Sequence, residues 1–170
     1  LADATSLPVI LYNVPGRTGV NIQPATYQKL CQHPNIVATK EASGDLSQIA
    51  NIRYLCGDDL DIYSGNDDQT VPILSLGGKG VISVLSNVAP QQTHDICQLY
   101  FDGKVQESAQ LSLKLLPLFN ALFSDVNPIP VKEAMNLLGW KAGSPRLPLV
   151  RLDDGRRETL KKALQGAGLL

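Results

Sequence analysis

A lysine stands at the end of a short apolar run that is rich in β-branched residues. The run covers residues 36–40, ends on Lys40, and is followed by residues 41–45 (EASGD), which read as a loop and a helix start. In α/β proteins, ligands bind and reactions take place at the carboxyl ends of the strands. Lys40 is therefore a candidate nucleophile, and the alternative is a strand-end lysine that simply reaches solvent.

Other polar side chains occupy the same place after neighbouring apolar runs. Tyr12 and Asn13 follow the first run, residues 65–68 (GNDD) follow the third, and Ser83 lies within the fourth. Because successive parallel strands end at the same mouth, we expect these groups to lie near Lys40. A barrel enzyme builds its site from several strand ends in this way.

Four apolar runs alternate with helical patterns and must position these groups. The predicted strands are 9–12, 36–40, 61–64 and 80–84, and the predicted helices are 24–32, 46–55, 69–76 and 90–101. Short, unalternating strands separated by helices predict a parallel sheet. Asn21 and Asp45 are candidate N-caps of the first two helices.

The remainder of the chain is predicted to be helical, over residues 104–123, 131–138 and 156–166. A stripe of large apolar residues in the first of these helices is interpreted as a packing face. Its members are Leu111, Leu115, Leu116, Leu118, Phe119 and Leu122. Four βα units cannot close an eight-stranded barrel, so the pattern fits either a small open α/β domain or half a barrel.

Composition excludes several classes of partner and site. The 170 residues carry 15 basic against 16 acidic side chains and no basic run, which argues against nucleic acid or an anionic membrane as the main partner. The odd set of cysteines, Cys31, Cys56 and Cys97, has no paired spacing and predicts reduced thiols in a cytoplasmic protein. His33 and His94 have no partner at ligand spacing, so no metal is predicted.

The first six residues resemble neither a signal peptide nor a membrane anchor. They lack a charged segment and an apolar segment, and read like the tail of a helix that leads into the first strand. No stretch reaches the roughly 18 apolar residues that a transmembrane helix requires. We expect that a further segment precedes Leu1 in the natural protein.

Four strings make the chain recognisable: residues 12–19 (YNVPGRTG), 40–44 (KEASG), 77–83 (GGKGVIS) and 127–132 (NPIPVK). In this order and spacing they resemble the dihydrodipicolinate synthase family of pyruvate-dependent aldolases, along the whole chain. The resemblance implies a (β/α)8 TIM barrel followed by a C-terminal helical subdomain. This chain would supply the carboxyl-terminal half: the last four βα units over residues 1–102, and the helical subdomain over residues 103–170.

The resemblance also implies roles for individual residues. Lys40 matches the lysine that forms a Schiff base with pyruvate, and Tyr12 matches a tyrosine that relays protons beside it. Arg17 matches the arginine that binds the carboxylate of the second substrate, aspartate β-semialdehyde. Because the matching loop of sialic acid lyases and sugar-acid aldolases usually lacks Arg-Thr-Gly, Arg17 favours the synthase.

Three further positions resemble the lining of the pyruvate pocket. Gly65 would permit close approach, and the backbone carbonyl of Ile82 would orient water or accept a proton. Asn66 stands where some relatives carry aspartate, and its role is open. The resemblance implies no cofactor beyond the covalent lysine–pyruvate Schiff base, and a homotetramer.

The family's threonine pair for the pyruvate carboxylate and a second tyrosine belong to the barrel's first half. We therefore expect little or no synthase activity from this chain alone. Two alternatives remain open at this stage. One is a sister enzyme of the N-acetylneuraminate lyase or keto-sugar-acid aldolase type, and the other is a noncatalytic truncated protein whose open sheet edge and leucine-rich helix serve assembly.

Overall fold

The four apolar runs form one parallel sheet in the computed structural model, which describes residues 1–170. The strands are β1 (Val9–Asn13), β2 (Ile36–Glu41), β3 (Asp61–Ser64) and β4 (Gly80–Val81). They lie in the order β1-β2-β3-β4, and every neighbouring pair is parallel. Sequential parallel strands with helices between them are the arrangement of a barrel segment, so the predicted strand count and direction are confirmed.

The ends of three strands differ from the prediction. The strands β1 and β2 each extend one residue further, to Asn13 and Glu41. The strand β4 is shorter than the predicted 80–84, because its partner β3 ends at Ser64, which pairs with Val81. A 3-10 helix over Leu85–Asn87 follows instead, so the prediction of strand for residues 82–84 was wrong.

Helices follow each strand, and only helices follow β4. Four precede β4: α1 (Pro15–Thr18), α2 (Pro24–Leu30), α3 (Leu46–Cys56) and α4 (Thr70–Ser75). Four come after it: α5 (Pro90–Phe101), α6 (Val105–Leu122), α7 (Ile129–Leu137) and α8 (Asp154–Gly166). Two more 3-10 helices cover Ala2–Ala4 and Asp67–Gln69. The helix α7 begins two residues before the predicted position, because the first turn of a helix accommodates Pro130.

One predicted helix cap is confirmed and the other is wrong. Asp45 caps α3, since its carboxylate accepts a hydrogen bond from the Gln48 backbone N–H at 3.0 Å. The N-cap of α2 is Gln23, without a side-chain cap. Asn21 instead pairs with the Gln48 amide in both directions, at 2.8 and 3.1 Å. Its polar groups are therefore used in a contact between distant segments, which a local pattern does not reveal.

The chain divides into two compact units, residues 1–82 and 83–170. In the first, the core lies between one face of the sheet and α2, α3 and α4. Its buried residues are Tyr27, Cys31, Ile36, Ile49, Ile52, Cys56, Leu60, Ile62 and Ile73. All three cysteines are free thiols, and two of them belong to this core.

The second unit contains helices and loops and no strand. The interpretation of the stripe on α6 as a packing face is confirmed for Leu115, Leu118, Phe119 and Leu122, which are all buried. Leu116 is 37% exposed and does not belong to that face. None of the helices in the chain is both long enough and apolar enough to cross a bilayer.

The compact units do not share the predicted boundary between residues 102 and 103. The predicted boundary follows the βα repeat and places α5 with the barrel half, whereas α5 packs against α6 in the second unit. The domain assignment to 1–102 and 103–170 stays a prediction.

Candidate active site

A row of three side chains crosses the sheet where its strands end. Lys40 on β2 pairs in register with Tyr12 on β1 and with Tyr63 on β3. Register partners in a parallel sheet point to the same face, so these three side chains form one row. The Lys40 Nζ lies 4.4 Å from the centre of the Tyr12 ring. An ammonium group over an aromatic face at this distance gains a favourable electrostatic contact.

The surroundings of Lys40 make its ammonium group easier to deprotonate. Burial lowers the pKa of Lys40 below the ordinary 10.5, and the nearby charge of Arg17 lowers this pKa further. The buried Asp67 acts in the opposite direction and raises it. Because burial is the largest of these effects, the net result is an amine that loses its proton more readily than an exposed lysine. A neutral amine has the lone pair that nucleophilic attack on a carbonyl requires.

Gly65 sits directly against the lysine stem. A Cβ built on this glycine would lie 3.2 Å from the Lys40 Cε and 2.6 Å from the Ala42 Cβ. The Gly65 backbone N–H donates to the Glu41 carbonyl oxygen at 2.8 Å, which fixes this close approach. The site therefore has room for hydrogen and no larger group at position 65.

The other three predicted site residues lie on α1, after β3 and after β4. Arg17 is exposed at the end of α1 and acts on Lys40 through its charge. The Asn66 side chain donates to the Gln69 Oε1 at 3.3 Å. Ile82 is 39% exposed, and its backbone N–H donates to the Ser64 carbonyl oxygen at 2.9 Å. The structure thus brings Tyr12 and Gly65 each close to Lys40.

Sequence reasoning missed Tyr63, and it gave no role to three other residues that it had placed at the strand ends. Tyr63 shares the row of Lys40, and strand periodicity could have found it, because it is the third residue of a four-residue strand. Asp67 acts on the charge of Lys40, and its signal was its place in the polar loop after β3. Asn13 and Glu41 adjoin Tyr12 and Lys40, yet their side chains are buried and bonded to each other.

No cluster of metal-ligating side chains marks this face of the chain independently. Nowhere do three or more His, Cys, Asp or Glu side chains form a group that could hold a metal ion, and the expectation of a metal-free site stays a prediction. A cavity of about 280 Å³ lies in the second unit and is lined by none of the predicted site residues. The candidate active site therefore depends on the strand-end row and its electrostatics.

A parallel sheet built from four sequential βα units defines a segment of a TIM-barrel protein. The chain belongs to the dihydrodipicolinate synthetase family, whose model matches residues 1–167. The 4-hydroxy-tetrahydrodipicolinate synthase of Caldicellulosiruptor saccharolyticus is 58% identical over 167 residues, which are 98% of this chain and 56% of that protein. The chain thus spans about half the length of the curated relatives it matches.

Solved structures give the same result for the fold. The dihydrodipicolinate synthase of Thermotoga maritima matches with a TM-score of 0.96 and 44% identity, over 99% of this chain and 59% of that one. The chloride-inhibited dihydrodipicolinate synthase of Acinetobacter baumannii, solved in complex with pyruvate, matches with a TM-score of 0.96 and 39% identity. That match covers 99% of this chain and 58% of the other. The predicted family and the partial barrel are thereby confirmed.

Proposed function

We propose that this chain supplies the Schiff-base lysine of a 4-hydroxy-tetrahydrodipicolinate synthase, which condenses pyruvate with aspartate β-semialdehyde. The observation that carries the proposal is the amine of Lys40 at a strand mouth, with its pKa lowered by burial and its Nζ 4.4 Å from the Tyr12 ring. The relative from Acinetobacter baumannii, solved with pyruvate, supports a keto acid as the first substrate.

The chemistry begins with attack of the Lys40 lone pair on the keto carbon of pyruvate. Proton transfers then release the keto oxygen as water and leave an iminium between Nζ and that carbon. The iminium accepts the electron pair of a methyl C–H bond when a base removes the proton, and the resulting enamine adds to the aldehyde carbon. Finally, the nitrogen of the aldehyde substrate displaces Lys40, which regains a free amine as the ring closes.

Tyr12 and Arg17 would serve different steps of this reaction. The Tyr12 ring centre lies 4.4 Å from the Lys40 Nζ, so its phenol would carry protons during loss of water and removal of the methyl proton. The exposed guanidinium of Arg17 would bind the carboxylate of the aldehyde through two parallel hydrogen bonds. Gly65 and the Ile82 carbonyl would line the pyruvate pocket, and Asn66 would lie at its edge.

The chain would account for one half of the complete site. Its strings at 12–19, 40–44, 77–83 and 127–132 support the prediction that it is the carboxyl-terminal half of the family's barrel. The groups that anchor the pyruvate carboxylate would come from the other half, together with the contacts of the expected homotetramer. Loss of such positioning groups costs orders of magnitude in rate, so the chain alone should show little synthase activity.

Borohydride trapping tests the Schiff base directly. The chain is incubated with pyruvate and sodium borohydride, both alone and mixed with the amino-terminal half of the Caldicellulosiruptor saccharolyticus relative, and its peptides are mapped by mass. Hydride addition to the iminium carbon should leave a 1-carboxyethyl group on Lys40, with more adduct when the second half is present. Lys29 and Lys79 serve as internal controls. If Lys40 carries no adduct in either incubation, the proposed mechanism is wrong. A noncatalytic protein that serves assembly then becomes the better explanation.

We predict that Arg17→Ala separates the two substrates. In a complete barrel that contains this chain, the variant should still form the pyruvate adduct on Lys40, to within about twofold of the parent. Its KM for aspartate β-semialdehyde should rise by about tenfold or more, because a charge-assisted pair with a carboxylate is lost. Arg146→Ala, at another exposed arginine, is the matched control. An equal loss with a sugar aldehyde would favour a sister aldolase instead.

A further inference from the structure

A second ionisable side chain adjoins Lys40 and is entirely buried. Glu41 is 0% exposed, and as the next residue along β2 its side chain points to the opposite face of the sheet. Glu41 takes part in none of the ion pairs of the chain. Burying a carboxylate without a cation costs free energy unless hydrogen bonds replace its water. The hydrogen-bond partners of Glu41 therefore show which chemical group this position accommodates.

Every partner of the Glu41 carboxylate is a hydrogen-bond donor. The Asn13 Nδ2 donates to both oxygens, at 2.9 and 3.1 Å. The Tyr27 hydroxyl donates to Oε2 at 3.0 Å, and the Ser43 backbone N–H donates to Oε1 at 3.0 Å. Because Tyr27 donates to Glu41, the Thr39 hydroxyl 3.1 Å away is the donor to Tyr27. A carboxylate accepts at all of these positions, whereas an amide would present a donor to one of them.

These contacts join the segments that carry the candidate active site. Asn13 directly follows Tyr12 on β1, and Ser43 lies in the loop after β2. The Asn13 Oδ1 accepts from the Ile22 backbone N–H at 3.0 Å, and its Nδ2 also donates to the Asn21 Oδ1 at 2.8 Å. Asn13 therefore fixes the far end of the loop that begins with α1. On the face opposite Lys40, hydrogen bonds of the Glu41 carboxylate and of Asn13 thus connect β1 and β2 with the loops that follow these two strands.

We propose that Glu41 is a positioning residue for Lys40 and Tyr12, acting through its hydrogen bonds to Asn13 and Tyr27. This inference rests on the proposed function, since positioning matters for a reaction at Lys40. Without these bonds, the ends of β1 and β2 would be free to shift, and the amine would reach more water. A displacement of about 1 Å at a reacting group can lower a rate by about 100-fold.

Competitive acetylation of the 170-residue chain tests the inference without requiring the reaction. Acetic anhydride labels lysines over a range of pH, and peptide mass mapping gives the labelling midpoint of each. In Glu41→Gln, the midpoint of Lys40 should rise towards the ordinary 10.5, and its labelling at neutral pH should fall by about threefold to tenfold. Tyr27→Phe removes one donor and keeps the buried ring, so it should produce a smaller change in the same direction.

Two controls separate positioning from stability. Glu158→Gln makes the same substitution at an exposed site and should leave Lys40 unchanged. Ile49→Val weakens the same core without altering a polar contact, so it should lower Tm and leave the midpoint of Lys40 in place. If Glu41→Gln behaves like Ile49→Val, with a lower Tm and an unchanged midpoint, the role of Glu41 is only structural and the inference is overturned.

The remaining outcomes also support or refute the positioning role of Glu41. If Glu41→Gln does not fold, the Tyr27→Phe variant gives the answer, because a shifted midpoint of Lys40 supports positioning and an unshifted one refutes it. Absence of a pyruvate adduct on Lys40 in the unaltered chain, both alone and with the amino-terminal half, would refute the proposed function. The labelling midpoints would still show whether Glu41 holds the amine, so the two failures are distinguishable.

Discussion

Lys40→Met should abolish capture of pyruvate and, at the same time, make the chain slightly more stable at neutral pH. The methionine sulfur cannot form an imine, so no adduct should remain at this position. The gain in stability has a separate cause. Burial lowers the pKa of Lys40 in the folded chain, so the charged amine opposes folding, and methionine removes that charge. The free energy of unfolding and Tm should therefore both rise slightly.

The size of this effect depends on pH and can be checked. Below the lowered pKa of Lys40, the cost of its charge is fully present in the parent chain. As pH rises from that value towards 10.5, the unfolded chain binds more protons than the folded one, so the parent regains the difference. The advantage of Lys40→Met should therefore shrink with rising pH in thermal melts. Lys161→Met, at an exposed lysine, should show no such trend. A less stable Lys40→Met variant at neutral pH would contradict the prediction.

Gly65→Ala should have the largest steric effect at the site. The new Cβ would lie 2.6 Å from the Ala42 Cβ and 3.1 Å from the Glu41 carbonyl oxygen. Neither neighbour is the end of a flexible side chain, and the Gly65 N–H is held by that same carbonyl. We expect a loss of about 1–3 kcal/mol in the free energy of unfolding, and pyruvate capture reduced by about tenfold or more as the Lys40 stem is displaced.

Two further variants identify the cause of that loss. Gly16→Ala adds the same methyl group where nothing lies within 4 Å, so it should be nearly neutral in thermal melts and in trapping. Adding Ala42→Gly to Gly65→Ala removes the closest contact and should restore part of the capture. Full activity in the Gly65→Ala variant would show that the site tolerates a methyl group there and would contradict the expected clash.

Local patterns predicted most of the elements because their signals lie within a few neighbouring residues. The runs that became β1 and β3 were found from short apolar stretches, and the Asp45 cap was found from its place before α3. The position of Lys40 at the end of β2 followed from the same kind of signal. The end of β4 could not be predicted from a local signal, because it depends on where its partner strand β3 stops.

The sequence by itself determined the family, the order of the βα units and the residue types at each strand end. Only the tertiary structure decided which of those residues meet. The register of β1 against β2 places Tyr12 beside Lys40 on one face and Asn13 beside Glu41 on the other. The contact between Asn13 and Glu41 joins residues 28 positions apart, so it arises from strand pairing and not from any local preference. Because side chains alternate along a strand, adjacent residues of one motif were separated into a row that contains Lys40 and Tyr12 and a buried, hydrogen-bonded pair on the other face.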